Sequence, residues 1–199
     1  MSIRTDMAAE SFSQAGGAEK LQGVKVKNKV IENARLEVTD ITIETQEAAE
    51  KLGRPVGRYI TLTATDSTFD MYSDSFRERA EVIAKAIGEL CGGCERFLAV
   101  GLGNYALTSD AVGPLTAEKI FATRHIKSLA KELDTDDLGE VTVIQPGVLG
   151  NTGIESSEQV KAIAERVTPQ AIIAVDALAC SELSNLGRTI QLCNTGISP

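Results

Sequence analysis

The hydrophobic period changes once along this chain, near residue 70, and that change restricts the fold more than any other feature. Before it, apolar and polar residues alternate: Val24-Lys-Val-Lys, Leu36-Glu-Val-Thr, Ile41-Thr-Ile and Tyr59-Ile-Thr-Leu-Thr. A period of two with β-branched residues predicts strands with one wet face. Between them, Thr45 to Gly53 has a capping start and a glycine stop, which predicts a short helix. After residue 70, Phe76, Ala80, Ile83, Ile87 and Leu90 recur every three to four positions and predict an amphipathic helix that ends at Gly92.

From there short apolar runs alternate with helical patterns. Phe97–Val100, Val141–Ile144 and Ala171–Val175 predict strands, with a further one at Thr189–Leu192. Helices are predicted over 112–132, with Pro114 in the first turn, and over 156–167, closed before Pro169. Wholly apolar strands alternating with helices predict a parallel sheet covered on both faces, with right-handed crossovers. The fold class is therefore α/β, a three-layer α/β/α arrangement with a β-rich N-terminal portion. Residues 1–20, small and polar, are expected to be flexible or fixed only by neighbours. Residues 21–199 are expected to form a single domain, β-rich over 21–66 and with its core over 70–199.

Charge narrows the function. The 199 residues carry a formal net charge of −8, which disfavours binding to nucleic acid phosphates. No apolar run approaches a membrane span of about 20 residues, and the N-terminus lacks the order of a signal peptide. A soluble, intracellular protein is expected. Cys91-Gly-Gly-Cys94 closes a predicted helix instead of opening one, so a redox role is disfavoured. Cys180, Cys193 and the single His125 do not supply a second pair of zinc ligands.

Chemistry is expected in the loops that leave the carboxyl ends of the parallel strands, where open α/β sheets bind ligands. These loops run from Gly101-Leu-Gly103-Asn104 to Asp110, from Pro146 through Gly150 and Gly153 to Glu155, and onward from Asp176. Glycines let the backbone approach a ligand and present N–H groups to it; the plain alternative is that they only make tight turns. Gly-x-Gly-Asn lacks the third glycine of a dinucleotide site, and there is no Walker-type lysine. Asp110 and Asp176 each follow a buried run, where a carboxylate is costly unless solvated, paired or used. Their plain reading is as helix and turn caps. Their chemical reading is a carboxylate pair that shares a proton and activates water.

Seven segments in order resemble the germination protease family, peptidase family A25, of endospore-forming bacteria. They are Ile3-Arg-Thr-Asp-Met-Ala, Val100-Gly-Leu-Gly-Asn, Ser109-Asp-Ala-Val-Gly-Pro114, Gln145-Pro-Gly-Val-Leu-Gly, Thr152-Gly-Ile-Glu155, Val175-Asp-Ala-Leu-Ala and Asn194-Thr-Gly-Ile-Ser-Pro199. The resemblance implies an endopeptidase that degrades small acid-soluble spore proteins in the spore or forespore cytosol. It implies synthesis as a zymogen, a homotetramer, no cofactor, and essential aspartates at Asp110 and Asp176. Gly101, Gly103, Asn104, Gly150, Gly153 and Glu155 are the expected substrate-binding residues. The implied fold has a phosphorylase/hydrolase-like core similar to the endopeptidases that mature nickel hydrogenases. Family members usually continue beyond the Thr-Gly-Ile-x-Pro segment, so the chain is expected to lack a C-terminal region, and Met1-Ser2 in place of an acidic pro-segment implies a processed form or a variant with almost no pro-segment. Two competing readings are a metal-dependent peptidase of the maturation type, using carboxylates and His125, and an inactive fragment or binding module.

Overall fold

The computed structural model describes residues 5–14, 22–66, 68–129 and 138–197. It is a mixed α/β structure with two sheets, and it divides into two compact units. One comprises residues 1–92 and 178–199, the other residues 93–177.

The first unit is built on an antiparallel sheet of β1 (Val24–Ile31), β2 (Leu36–Ile43), β3 (Gly57–Ala64) and β7 (Thr189–Cys193), in the order β1-β2-β3-β7. The alternating runs thus form strands, with the second and third merged into β2. Period-two alternation sends successive side chains to opposite faces. Ile41, Ile43 and Tyr59 pack with Ala8 and Phe12 of α1 (Ala8–Gln14) and with Ala48, Ala49 and Leu52 of α2 (Gln46–Leu52). The Thr45 side chain accepts the Ala48 N–H, and Gly53 closes α2 at φ 63°, the left-handed conformation that glycine adopts most cheaply.

The other face carries α3 (Phe76–Cys91) over Val38, Ile60 and Leu62. Its buried side is rotated from the predicted one. Phe76 is 51% exposed and Ala80 is exposed, while Arg79, Val82, Ile83, Ala86 and Leu90 face inward. The reason is Arg79, which is 2% exposed. Its guanidinium donates to the Ala34 and Thr68 carbonyls and to Asp66, and it lies 5.6 Å over the Phe69 ring. A buried cation survives only with such pairing, so a charged residue that the pattern places on the wet side of the helix is turned inward. Hydrogen bonds from Arg35 and Arg79 hold the Asp66 carboxyl well below the usual carboxylate range.

Residues 5–14 are tied down by polar groups. Ala8 N–H donates to the Gln191 side chain, and Asp6 N–H to the Ala179 carbonyl. Glu10, 6% exposed, accepts from the Ser181 N–H and hydroxyl and from the Asn185 amide.

The second unit holds a parallel sheet of β4 (Arg96–Gly101), β5 (Glu140–Ile144) and β6 (Ala171–Val175), ordered β5-β4-β6. Its helices are α4 (Val112–Lys119), α5 (Arg124–Leu129), α6 (Leu149–Thr152) and α7 (Ser156–Val167). Three expectations change here. The helix predicted over 112–132 is two helices, because residues 120–123 leave helical geometry. Thr123 N–H donates to the Val141 carbonyl, while its hydroxyl donates to Gly139 and accepts from Val141 N–H. The remainder of that prediction, 130–132, lies outside the described residues. Next, β7 does not extend the parallel sheet but pairs antiparallel with β3, from Tyr59↔Cys193 to Thr63↔Thr189. Finally, only the central strand is buried along its inner length. Leu98, Ala99 and Val100 are at most 4% exposed, whereas Ile172 in β6 is 48% exposed.

Candidate active site

Asp110 and Asp176 follow adjacent strands. Val100 pairs with Ala174 and Gly101 with Val175 in parallel register, so β4 and β6 end level with each other. Asp176 is the next residue after β6. Asp110 ends a single 3-10 turn, Thr108–Asp110, in the loop after β4. Both side chains are on half-buried residues.

Local packing fixes the first loop. Leu102 N–H donates to the Val175 carbonyl at 2.8 Å, joining the two strand ends. Asn104 N–H donates to the Asp110 carbonyl at 3.1 Å and to its Oδ2 at 2.8 Å. The Asn104 side chain in turn accepts from Ala106 N–H, the local turn that asparagine favours. Gly103, at φ 114°, lies against Asp110, and a Cβ there would collide with the Asp110 carbonyl oxygen. Gly113, in the first turn of α4, touches Leu102 and Val175, and Gly101 packs against Gly113 and Ala117. Gly101 and Gly113 thus let α4 and the ends of β4 and β6 meet closely, while Gly103 makes room for Asp110 within the loop. Gly113 was not foreseen as a site residue; its signal was the small residue before Pro114 in a helix start.

The plain reading of Asp110 as a helix cap does not hold. The residue at the N-cap of α4 is Ala111, with no side-chain cap hydrogen bond, and the Asp110 carboxylate turns back to Asn104. Asp176 Oδ1 accepts from Ala177 N–H at 2.8 Å, which agrees with a turn-forming role for that oxygen.

The structure brings Gly103, Asn104 and Asp110 into direct contact, while Gly101 packs against Gly113 and Ala117 of α4. Gly150, Gly153 and Glu155 follow β5 on the opposite side of β4. Their segment forms α6 and the entry to α7, and its described hydrogen bonds are internal, including Ser156 to the Gly147 carbonyl. Gly153 caps α6 at φ 70°, and Glu155 precedes α7 with an exposed residue surface. The N–H groups of Leu102, Asn104 and Gly153 are already spent on Val175, Asp110 and Leu149, so the donors open to a ligand must come from other residues of these loops. His125 is exposed in α5, beside Arg124, which pairs with Glu140 at 3.2 Å. Among the described residues no three His, Cys, Asp or Glu side chains gather as a metal site. Cys91 closes α3, and the Gly92 N–H returns to Gly88.

The family model for germination protease, Peptidase_A25, matches residues 3–199. The chain belongs to the germination protease family. A germination protease of Clostridium perfringens is 37% identical over 202 residues, covering 99% of this chain and 61% of the relative. One from Clostridium tetani is 37% identical over 205 residues, covering 100% and 62%. One from Priestia megaterium is 34% identical over 212 residues, covering 100% and 56%. The chain therefore spans about three fifths of the length of these curated germination proteases. No helix among the described residues is long and apolar enough to cross a membrane.

Proposed function

We propose that this chain is the peptidase portion of an endopeptidase that opens the degradation of small acid-soluble spore proteins during germination. The observation that carries the reading is the placement of Asp110 and Asp176 after two hydrogen-bonded, parallel strands of a germination protease family member. The carboxyl ends of such strands are where α/β folds place their chemistry.

In this reading the two aspartates divide acid and base work. One carboxylate takes a proton from water as the water oxygen attacks the scissile carbonyl carbon. The other, protonated, delivers its proton to the amide nitrogen as the C–N bond breaks, leaving a carboxyl and an amine product. Gly101, Gly103 and Asn104 shape one wall, with Asn104 holding Asp110 in place. The glycines of the 146–155 segment and Glu155 receive the substrate backbone, with uncommitted N–H groups polarising the carbonyl. No cofactor enters this scheme. The parallel sheet belongs, in this proposal, to a three-layer α/β/α core of the kind found in hydrogenase-maturation endopeptidases. The full-length protein acts as a homotetramer in the spore core, is made as a zymogen and takes protein, not DNA, as substrate.

Incubation with purified small acid-soluble spore protein, followed by mass spectrometry of the fragments, tests the activity. Cleavage abolished in Asp110→Asn and in Asp176→Asn, with circular dichroism unchanged, supports the pair. Cleavage retained in both variants removes it. Light scattering of the full-length protein tests the tetramer.

A further inference from the structure

The parallel sheet has a strand edge that no step so far uses. β6 pairs with β4 on one side and, among the described residues, with no strand on the other. The Val175 carbonyl accepts from Leu102 N–H in the loop after β4, so Val175 turns its backbone groups toward β4. These groups alternate in direction along a strand. Ala171 and Ile173 therefore share the Val175 side, while Ile172 and Ala174 turn N–H and C=O to the open edge.

The side chains at those two positions are uncovered as well. Gly101 packs against Gly113 and Ala117 of α4 and pairs with Val175. Val175 and Ile173 thus lie on the α4 face of the sheet, and Ile172 and Ala174 on the other. On that other face the β4 neighbours Leu98 and Val100 are buried, whereas Ile172 and Ala174 are exposed. Parallel strands are normally covered on both faces.

Open edges are usually guarded by charge, proline or a bulge. β1, at the edge of the antiparallel sheet, follows that rule with exposed Lys25, Lys27 and Lys29. β6 does not. It reads Ala-Ile-Ile-Ala-Val, with neither charge nor proline. Its position selects what would pair with it. Asp176 is the next residue after β6, so a strand laid along this edge is led to that carboxylate.

We propose that the free edge of β6 is the docking strand for substrate. An extended segment of the protein to be cut pairs its backbone with Ile172 and Ala174 and sets apolar side chains, at alternate positions, beside theirs. Main-chain hydrogen bonds supply affinity and the alternate side chains supply selection. The inference rests on the peptidase reading of Asp110 and Asp176, and it adds how the substrate is held and in what conformation.

The probe is a capped heptapeptide of alternating serine and valine, titrated into the ¹⁵N-labelled chain carrying Asp110→Asn, so that binding is read without turnover. Amide exchange at Ile172 and Ala174 is expected to slow at saturation. The same peptide N-methylated at every interior residue should give no protection. Ala174→Pro removes an edge N–H that the β4–β6 ladder does not use. It should weaken peptide binding by about tenfold, the net worth of about one backbone hydrogen bond. Ile172→Lys leaves the backbone whole and puts a charge where an apolar side chain would lie, and it should weaken binding as well. In the chain with both aspartates, Ile172→Lys should raise KM for spore protein with kcat unchanged. Absence of protection, equal binding of the N-methylated peptide, or binding undiminished in both variants overturns the proposal. So does concentration-dependent protection without peptide, which would give the edge to a second copy of the chain. Cleavage of spore protein without protection of β6 removes the docking strand and leaves the peptidase reading standing. Protection without cleavage by the chain with both aspartates keeps the edge as a peptide-binding strand and counts against the peptidase reading.

Discussion

The backbone N–H of Asn104 donates to Oδ2 of Asp110 at 2.8 Å, so the aspartate is held by the turn it follows and not by the helix it precedes. Asparagine at position 110 keeps an oxygen for that hydrogen bond but loses the ability to take a proton. Asp110→Asn should therefore cut cleavage of spore protein by about 10²–10⁴-fold, the usual worth of an acid–base group. Its urea midpoint should stay close to that of the parent chain. Rate and midpoint together separate a chemical role from a structural one.

Gly113→Ala should act through structure alone. A methyl group there meets the carbonyl oxygens of Leu102 and Val175. Overpacking of this kind costs about 1–3 kcal/mol, and backbone atoms cannot step aside as a side chain can. Gly150→Ala is the matched control, since nothing lies within 4 Å of its Cβ position. Urea denaturation should show a loss for the first and a change under about 0.5 kcal/mol for the second.

Glu10 should make the first unit acid-sensitive. Burial disfavours its charge, but hydrogen bonds from Ser181, Thr5 and Asn185 outweigh that and hold the carboxyl at about 2 instead of 4.5. A lowered folded-state value means the stabilisation is complete above pH 4.5 and is lost as pH falls toward 2. Glu10→Gln should cost about 2–3 kcal/mol at neutral pH, by the conversion of such a shift to free energy. The gap between parent and variant should close between pH 4.5 and 2 when unfolding midpoints are compared.

Arg79→Met should destabilise by about 3–5 kcal/mol, as expected when one member of a buried charged network is removed. The Ala34 and Thr68 carbonyls lose their donor. Arg35→Met, which removes an exposed partner of the same Asp66, should cost far less, because solvent screens an exposed ion pair. Thermal unfolding of the two variants side by side tests the contrast.

The sequence was legible where local chemistry decides structure. Thr45 and Gly53 bracket α2, Gly92 ends α3, and the alternating runs became β1 to β3; the one wet face expected of them is absent from β3, whose Tyr59 to Leu62 are all buried because helices cover both faces of the sheet. It was misleading where a distant partner decides. Arg79 reads as a surface residue until Asp66 and two carbonyls converge on it. Residues 120–123 read as helix until Val141 claims the Thr123 backbone. The short run at Thr189 carries no mark of which sheet it will join; pairing with Tyr59–Thr63 is settled by packing far away in sequence. Within the site, the loops and both aspartates could be located from the strands they follow. The turning of Asp110 toward Asn104 and the dependence on Gly113 could not, because both rest on backbone contacts between separate segments.

The antiparallel ladder of β3 with β7 joins residues more than a hundred positions apart, and everything from 93 to 177 is spelled out between them. On the ribosome, the parallel sheet has all three of its strands in hand before the N-terminal sheet receives its last one. Order of synthesis and order of completion are therefore reversed. The unit that begins the chain finishes second, and until its closing strand emerges β3 presents an open edge. Pairings of such long sequence separation form slowly, which makes the interval before β7 emerges the period of greatest exposure to misassembly.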